Sequence, residues 1–109
     1  GPEGRLAFGP KLSPENFRAA FTTAEGWGSF TQKVEQGSQT GTIELRYGKL
    51  ALKELAFAKA PGAMASQARV EVDGKPINAG FKMEADRCVL SFAMGVILTA
   101  GQKLVARFS

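Results

Sequence analysis

The chain has 109 residues, 44% of them hydrophobic and 22% charged, which is one domain's worth of ordinary globular protein rather than a disordered segment. The formal net charge is +4 with a pI near 9.5, but the basic residues are spread along both halves without a cluster, which argues against a nucleic-acid stripe or tail. No apolar run is long enough for a membrane-spanning helix and no signal peptide opens the chain. The absence of histidine excludes Ser-His-Asp and Cys-His catalysis and any histidine metal site.

Glycines punctuate the chain into short segments, and between them apolar and polar residues alternate with a period of two, the pattern of half-buried strands. In chain order the pattern predicts strands over 5–8, 17–22, 29–35, 42–47, 50–57, 69–73, 80–84, 88–92 and 103–108. Ser13 and Pro14 suit the start of a single capped helical turn. In 42–47, Ile43, Leu45 and Tyr47 form one row and Thr42, Glu44 and Arg46 the other. Tyr47-Gly48-Lys49 suits a hairpin turn. The stretch 50–59 has helix-forming composition, yet reads as a long or bulged strand with a phase break between Leu52 and Leu55. Residues 61–66 read as a loop. Val70 and Val72 point inward and Arg69, Glu71 and Asp73 outward, before a tight turn at Asp73-Gly74. About nine strands at this spacing predict a single all-β domain over 1–109, an antiparallel β-sandwich of jelly-roll type with eight or nine strands. Gly1 and Pro2 have the look of a cloning scar.

Candidate catalytic machinery is sparse. No nucleophile elbow, phosphate-binding loop, dinucleotide fingerprint or zinc spacing occurs, and the acidic residues mostly share polar strand faces with Lys or Arg. Cys88 lies in an apolar run and reads as a buried, inert thiol. No cofactor is expected; Glu71 and Asp73 offer a structural calcium site as the alternative. Met64, Met83 and Met94 read as filler, and the phenylalanines as core.

The most informative segment surrounds Trp27, which stands between two glycines. Alternation from this point sends Gly28, Phe30, Gln32 and Val34 to the core and leaves Trp27 on a polar row with Ser29, Thr31, Lys33 and Glu35. A flat aromatic on a polar face suits stacking against a sugar ring, with neighbouring polar groups bonding its hydroxyls. The expected carbohydrate-binding residues are Trp27 as platform, with Lys33, Glu44 and Arg46 as hydrogen-bonding partners. Tyr47 reads as core on its phase and becomes a second aromatic if the strand phase shifts by one. The competing reading of Trp27 is packing at the core edge or at a module interface.

The run LAFGPKLSPENFRAAFTTAEGWGSFTQ, continuing into TGTIELRYGKLALKELAF, resembles terminal segments of large bacterial glycoside hydrolases, in particular the glycoside hydrolase family 116 group of non-lysosomal glucosylceramidase relatives. VEVDGKPINAGF and VILTAGQKLVARF resemble the final strands of accessory β-sandwiches in carbohydrate-active enzymes. The resemblance implies a non-catalytic module of a larger, extracellular or cell-surface bacterial protein. Its partners would be a polysaccharide or oligosaccharide, such as cellulose or another β-glucan, and the parent catalytic domain, with no nucleic acid and no membrane. An accessory domain that packs against the catalytic domain without a ligand of its own is the alternative.

Overall fold

The computed structural model describes residues 4–8 and 16–109, the side chains of 16–18 excepted. Among them are nine strands and no helix: β1 (Arg5–Phe8), β2 (Asn16–Thr22), β3 (Gly26–Glu35), β4 (Ser38–Ala58), β5 (Ala68–Val72), β6 (Lys75–Ile77), β7 (Gly80–Glu84), β8 (Arg87–Thr99) and β9 (Lys103–Phe108). The all-β, antiparallel class and the strand number agree with the expectation from the sequence. The turn read at Ser13 and Pro14 lies outside the described residues.

Strand β4 organises the architecture. Its first part pairs with β3 on one side and β9 on the other, and its second part with β1 and β8. One half of the sheet therefore runs β2-β3-β4-β9-β5-β6, and the other places β4 between β1 and β8, with β7 beyond β8. The β1–β4 pairing is parallel; all the others are antiparallel. The hairpin expected at Tyr47-Gly48-Lys49 does not form, because the chain continues through Gly48 as one strand. Gly48 has a φ of +83°, and a Cβ there would collide with the Glu25 carbonyl, so only glycine allows the backbone to turn from one half into the other.

The inner faces of both halves feed one apolar cluster. Phe57 packs against Phe30 at a centroid separation of 5.5 Å and against Phe108 at 5.6 Å, and Phe8 stacks on Phe30 at 4.2 Å. Gly41 lies beneath the Phe57 ring, where an added Cβ would meet a ring carbon at 2.8 Å. Buried Leu45, Leu52, Leu55, Leu90, Leu98 and Leu104 complete the centre. Two polar side chains, Gln32 and Gln39, are sealed in with them. Gln39, with no exposed surface, donates from Nε2 to Gln32 Oε1 (2.9 Å) and to the Ala58 carbonyl (2.8 Å), and its Oε1 accepts from the Ala60 N–H (2.9 Å). The side chain is thus partnered by β3 and by the end of β4 with the residues just past it, as burial of an amide demands.

Turn chemistry follows the sequence closely. Asp73 and Gly74 both have positive φ and link Val72 to Lys75 by two residues, the geometry that Asp-Gly favours. Gln36 and Gly37 do the same between β3 and β4. The phase break in the 50–59 stretch is present as a register shift in the β4–β8 ladder between Leu52 and Glu54. Only Lys53 lies between these residues on β4, against residues 92–95 on β8, and the Gly4 carbonyl accepts from both the Lys53 and Glu54 N–H groups (2.7 and 2.9 Å), so these amides stay satisfied. Residues 61–66 form a loop as expected.

Candidate functional site: an aromatic pair on the outer sheet face

The outer face of the β2–β6 half carries the polar row expected on β3. Gly28, Phe30 and Gln32 are buried, while Trp27, Lys33 and Glu35 are exposed and Ser29 and Thr31 half-buried. The Trp27 side is therefore the solvent side, and Trp27 is 47% exposed. Its flanking glycines have a packing explanation of their own. At Gly26 an added Cβ would strike the Tyr47 carbonyl, and at Gly28 the Glu44 carbonyl, so β3 lies closer to β4 here than any side chain would allow.

Tyr47 corrects the sequence reading. Strict alternation places it with Ile43 and Leu45 in the core, yet it is 66% exposed. The cause is a register shift in the β3–β4 ladder: Gly28 pairs with Leu45, but the next β3 residue, Trp27, pairs with Tyr47. Arg46 is the unpaired extra residue of a β-bulge, which moves everything after it by one phase. Tyr47 consequently joins Trp27 on the outer face, directly across the ladder.

Two residue pairs along, Glu44 stands opposite Ser29, and Arg46 Nη2 donates to Glu44 Oε1 at 3.3 Å. Lys103 on β9 faces Glu44 from its other side, and Thr31 and Thr42 form the next row. The structure thus gathers Trp27, Tyr47, Glu44 and Arg46 at one end of the face. It does not bring Lys33 to them: six residues of strand separate it from Trp27, roughly 20 Å, and it is ion-paired with Glu35 at 3.6 Å. Lys103 was missed at the sequence level because its place depends on β9 pairing with β4 across more than fifty positions of chain.

A cleft of ≈ 600 Å³ opens beside the pair, lined by residues 4–7, 22–25 and 49–52. It adjoins the aromatics through Thr22, which pairs with Trp27, and Lys49, two residues past Tyr47. The chemistry on offer is stacking on two aromatic faces and hydrogen bonding by a carboxylate, a guanidinium and hydroxyls, all in solvent contact.

The calcium alternative finds its residues engaged elsewhere. Asp73 accepts from the Lys103 N–H through Oδ1 (3.0 Å) and from Gln102 Nε2 through Oδ2 (3.2 Å), and Glu71 lies 3.8 Å from Arg107. Cys88 is buried, and burial pushes its thiol pKa up, partly offset by the charge of Lys59. Met94 is not filler: it is 97% exposed. No protein-family model and no curated protein sequence matches the chain.

Proposed function

We propose that this domain is a non-catalytic carbohydrate-binding module that holds a parent polysaccharide-degrading enzyme on its polymer. The observation that carries the reading is the exposed, cross-strand pair of Trp27 and Tyr47. Burying two large aromatics would stabilise a small β domain, so leaving both on one solvent face is informative where a lone exposed aromatic would not be. Two adjacent rings offer consecutive stacking positions along a sugar chain, and Glu44, Arg46, Ser29 and Lys103 are spaced around them to bond hydroxyls. The choice of a β-linked glucan, and of a bacterial, extracellular parent of the glycoside hydrolase kind, rests on the sequence resemblance. Binding would be weak per site and effective through raised local concentration of the attached enzyme.

A pull-down on insoluble cellulose, xylan and mannan tests the proposal, run for the wild type, Trp27→Ala and Tyr47→Ala. Retention on one polymer, lost in both folded variants, is the expected result. Retention on none, with Trp27→Ala losing stability instead, would overturn it and leave a packing role against a larger protein.

A further inference from the structure

The cleft beside the aromatic pair is a gap in the hydrogen bonding of β4. On one side of residues 49–52 lies β8. On the other, the turn after β2 touches β4 at Lys49, whose N–H donates to the Glu25 carbonyl (3.2 Å). The next contact on that side is at Lys53, whose N–H donates to the Gly4 carbonyl (2.7 Å). Between these two contacts no strand among the described residues pairs with β4 on that side, and the cleft of ≈ 600 Å³ fills the gap.

Ala51 lies midway along it. Lys49 turns its N–H away from β8, and its partner there, Thr99, uses its N–H and C=O on Gln102. Lys49 and Thr99 are therefore a non-bonded pair, and bonded and non-bonded pairs alternate along an antiparallel ladder. Ala51, opposite Ile97, is the next non-bonded position, so its N–H and C=O also point away from β8, towards the cleft it lines. One donor and one acceptor stand open there. A single such residue is too short for strand addition, which uses a run of main-chain bonds. A sugar ring with neighbouring hydroxyls, each able to donate and accept, needs only one of each.

The rim offers the same chemistry. Arg5, Glu25 and Lys49 line the cleft and are exposed, and none of them is ion-paired among the described residues. The turn is held in shape by Thr23, whose N–H and Oγ1 both donate to the Gly26 carbonyl (2.8 and 3.2 Å). The volume lies within the range of about 300–1,000 Å³ found for small-ligand sites. Tyr47, Lys49 and Ala51 are exposed while Leu50 and Leu52 are buried, so one row leads from the aromatic ring to the cleft.

We propose that this cleft is a sugar subsite continuous with Trp27 and Tyr47, taking one pyranose unit edge-on. Its hydroxyls bond the Ala51 main chain and the side chains of Arg5, Glu25 and Lys49. The subsite rests on the carbohydrate-binding reading and adds the form of the ligand. A unit that enters a cleft has left the plane of its neighbours, so the ligand is a free single glycan chain and not the flat face of a crystalline polymer.

An NMR titration of isotope-labelled protein with cellohexaose, xylohexaose and mannohexaose reads the two parts separately. The Trp27 indole N–H is the only one in the chain and reports the aromatic pair; the Thr23, Glu25 and Ala51 amides report the cleft. One hexaose should shift both sets along a common saturation curve and release protein retained on the matching insoluble polymer. The double variant Arg5→Ala with Lys49→Ala, both exposed, should keep the circular dichroism spectrum and bind that hexaose at least about tenfold more weakly. A hexaose that shifts only the indole, unchanged affinity in the double variant, or retention that no hexaose releases overturns the subsite and leaves the aromatic platform standing. No shift with any hexaose and no retention on any polymer overturns the carbohydrate-binding reading, and the subsite with it.

Discussion

Trp27 and Tyr47 are direct partners across β3 and β4, and they share the solvent face because Arg46 is bulged out between Leu45 and Tyr47. Without that one extra residue Tyr47 would point into the core, and the face would hold a single aromatic. The bulge and the close-packed glycines at positions 26 and 28 are one construction: glycine lets the two backbones approach, and the bulge re-aims the side chain that follows.

If both rings carry the ligand, each truncation should weaken polymer binding by about 1–3 kcal/mol, the range for a contact at the centre of an interface. Stability should change by no more than about 0.5 kcal/mol in Tyr47→Ala, whose side chain is 66% exposed, and by about 1 kcal/mol in Trp27→Ala, about half of whose surface is covered. The double variant tests coupling. Two rings that stack on one sugar chain should give a non-additive loss, measured by affinity electrophoresis with soluble polymer against urea midpoints for the same proteins.

Gln39 should be among the least replaceable polar residues. Gln39→Ala leaves the Ala60 N–H, the Ala58 carbonyl and Gln32 without that partner in the interior, and each buried group left unmet costs about 1–3 kcal/mol. A loss of about 3 kcal/mol or more is expected from urea unfolding. A change under about 1 kcal/mol would show that water or a rearranged side chain replaces the amide.

Ala85 sits at φ +56° in the two-residue turn between β7 and β8, a conformation that costs a residue with a Cβ roughly 1–2 kcal/mol. Ala85→Gly relieves this but frees the unfolded chain. The net expectation is a gain of up to about 1 kcal/mol, read as a raised thermal midpoint, in contrast to most glycine substitutions in a sheet.

The Cys88 thiol has a pKa raised by burial above its ordinary value of 9.0. The folded state therefore holds this proton more tightly than the unfolded state. The associated stability is intact below pH 9 and is lost as pH rises towards the folded-state value. Unfolding free energy should decline more steeply above pH 9 in the wild type than in Cys88→Ala. At neutral pH a thiol reagent should label native protein only as fast as the protein opens.

Much of the fold could be read in the sequence, because alternation and turn residues are local signals. The pattern over 5–8, 80–84 and 103–108 matches strands with those same bounds, and Asp73-Gly74 announces its turn chemically. Two features defeated it. Gly48 satisfies the composition of a hairpin turn equally well whether the chain reverses or, as here, passes on into the other half of the sheet. Tyr47 was misplaced because a bulge leaves no mark in an alternating pattern until its far side is seen, and beyond Tyr47 the next residue is glycine. The 50–59 stretch shows the converse: leucines continue on both sides of Lys53, so the break in phase was visible. In the candidate site, Trp27, Glu44 and Arg46 could be grouped from strand phase alone. The position of Lys103 and the distance of Lys33 depend on pairings between distant segments.

Strand β4 is shared by both halves of the sheet, which leaves no hinge between them among the described residues. Neither half can open while the other stays shut, since each would have to surrender the same strand, so unfolding should be a single event rather than a sequence of partial ones. Trp27 and Tyr47 sit beside Gly48, at the seam where that strand changes partners. Whatever rests on them meets a fixed surface, and recognition there would proceed as key to lock, with no jaw to close.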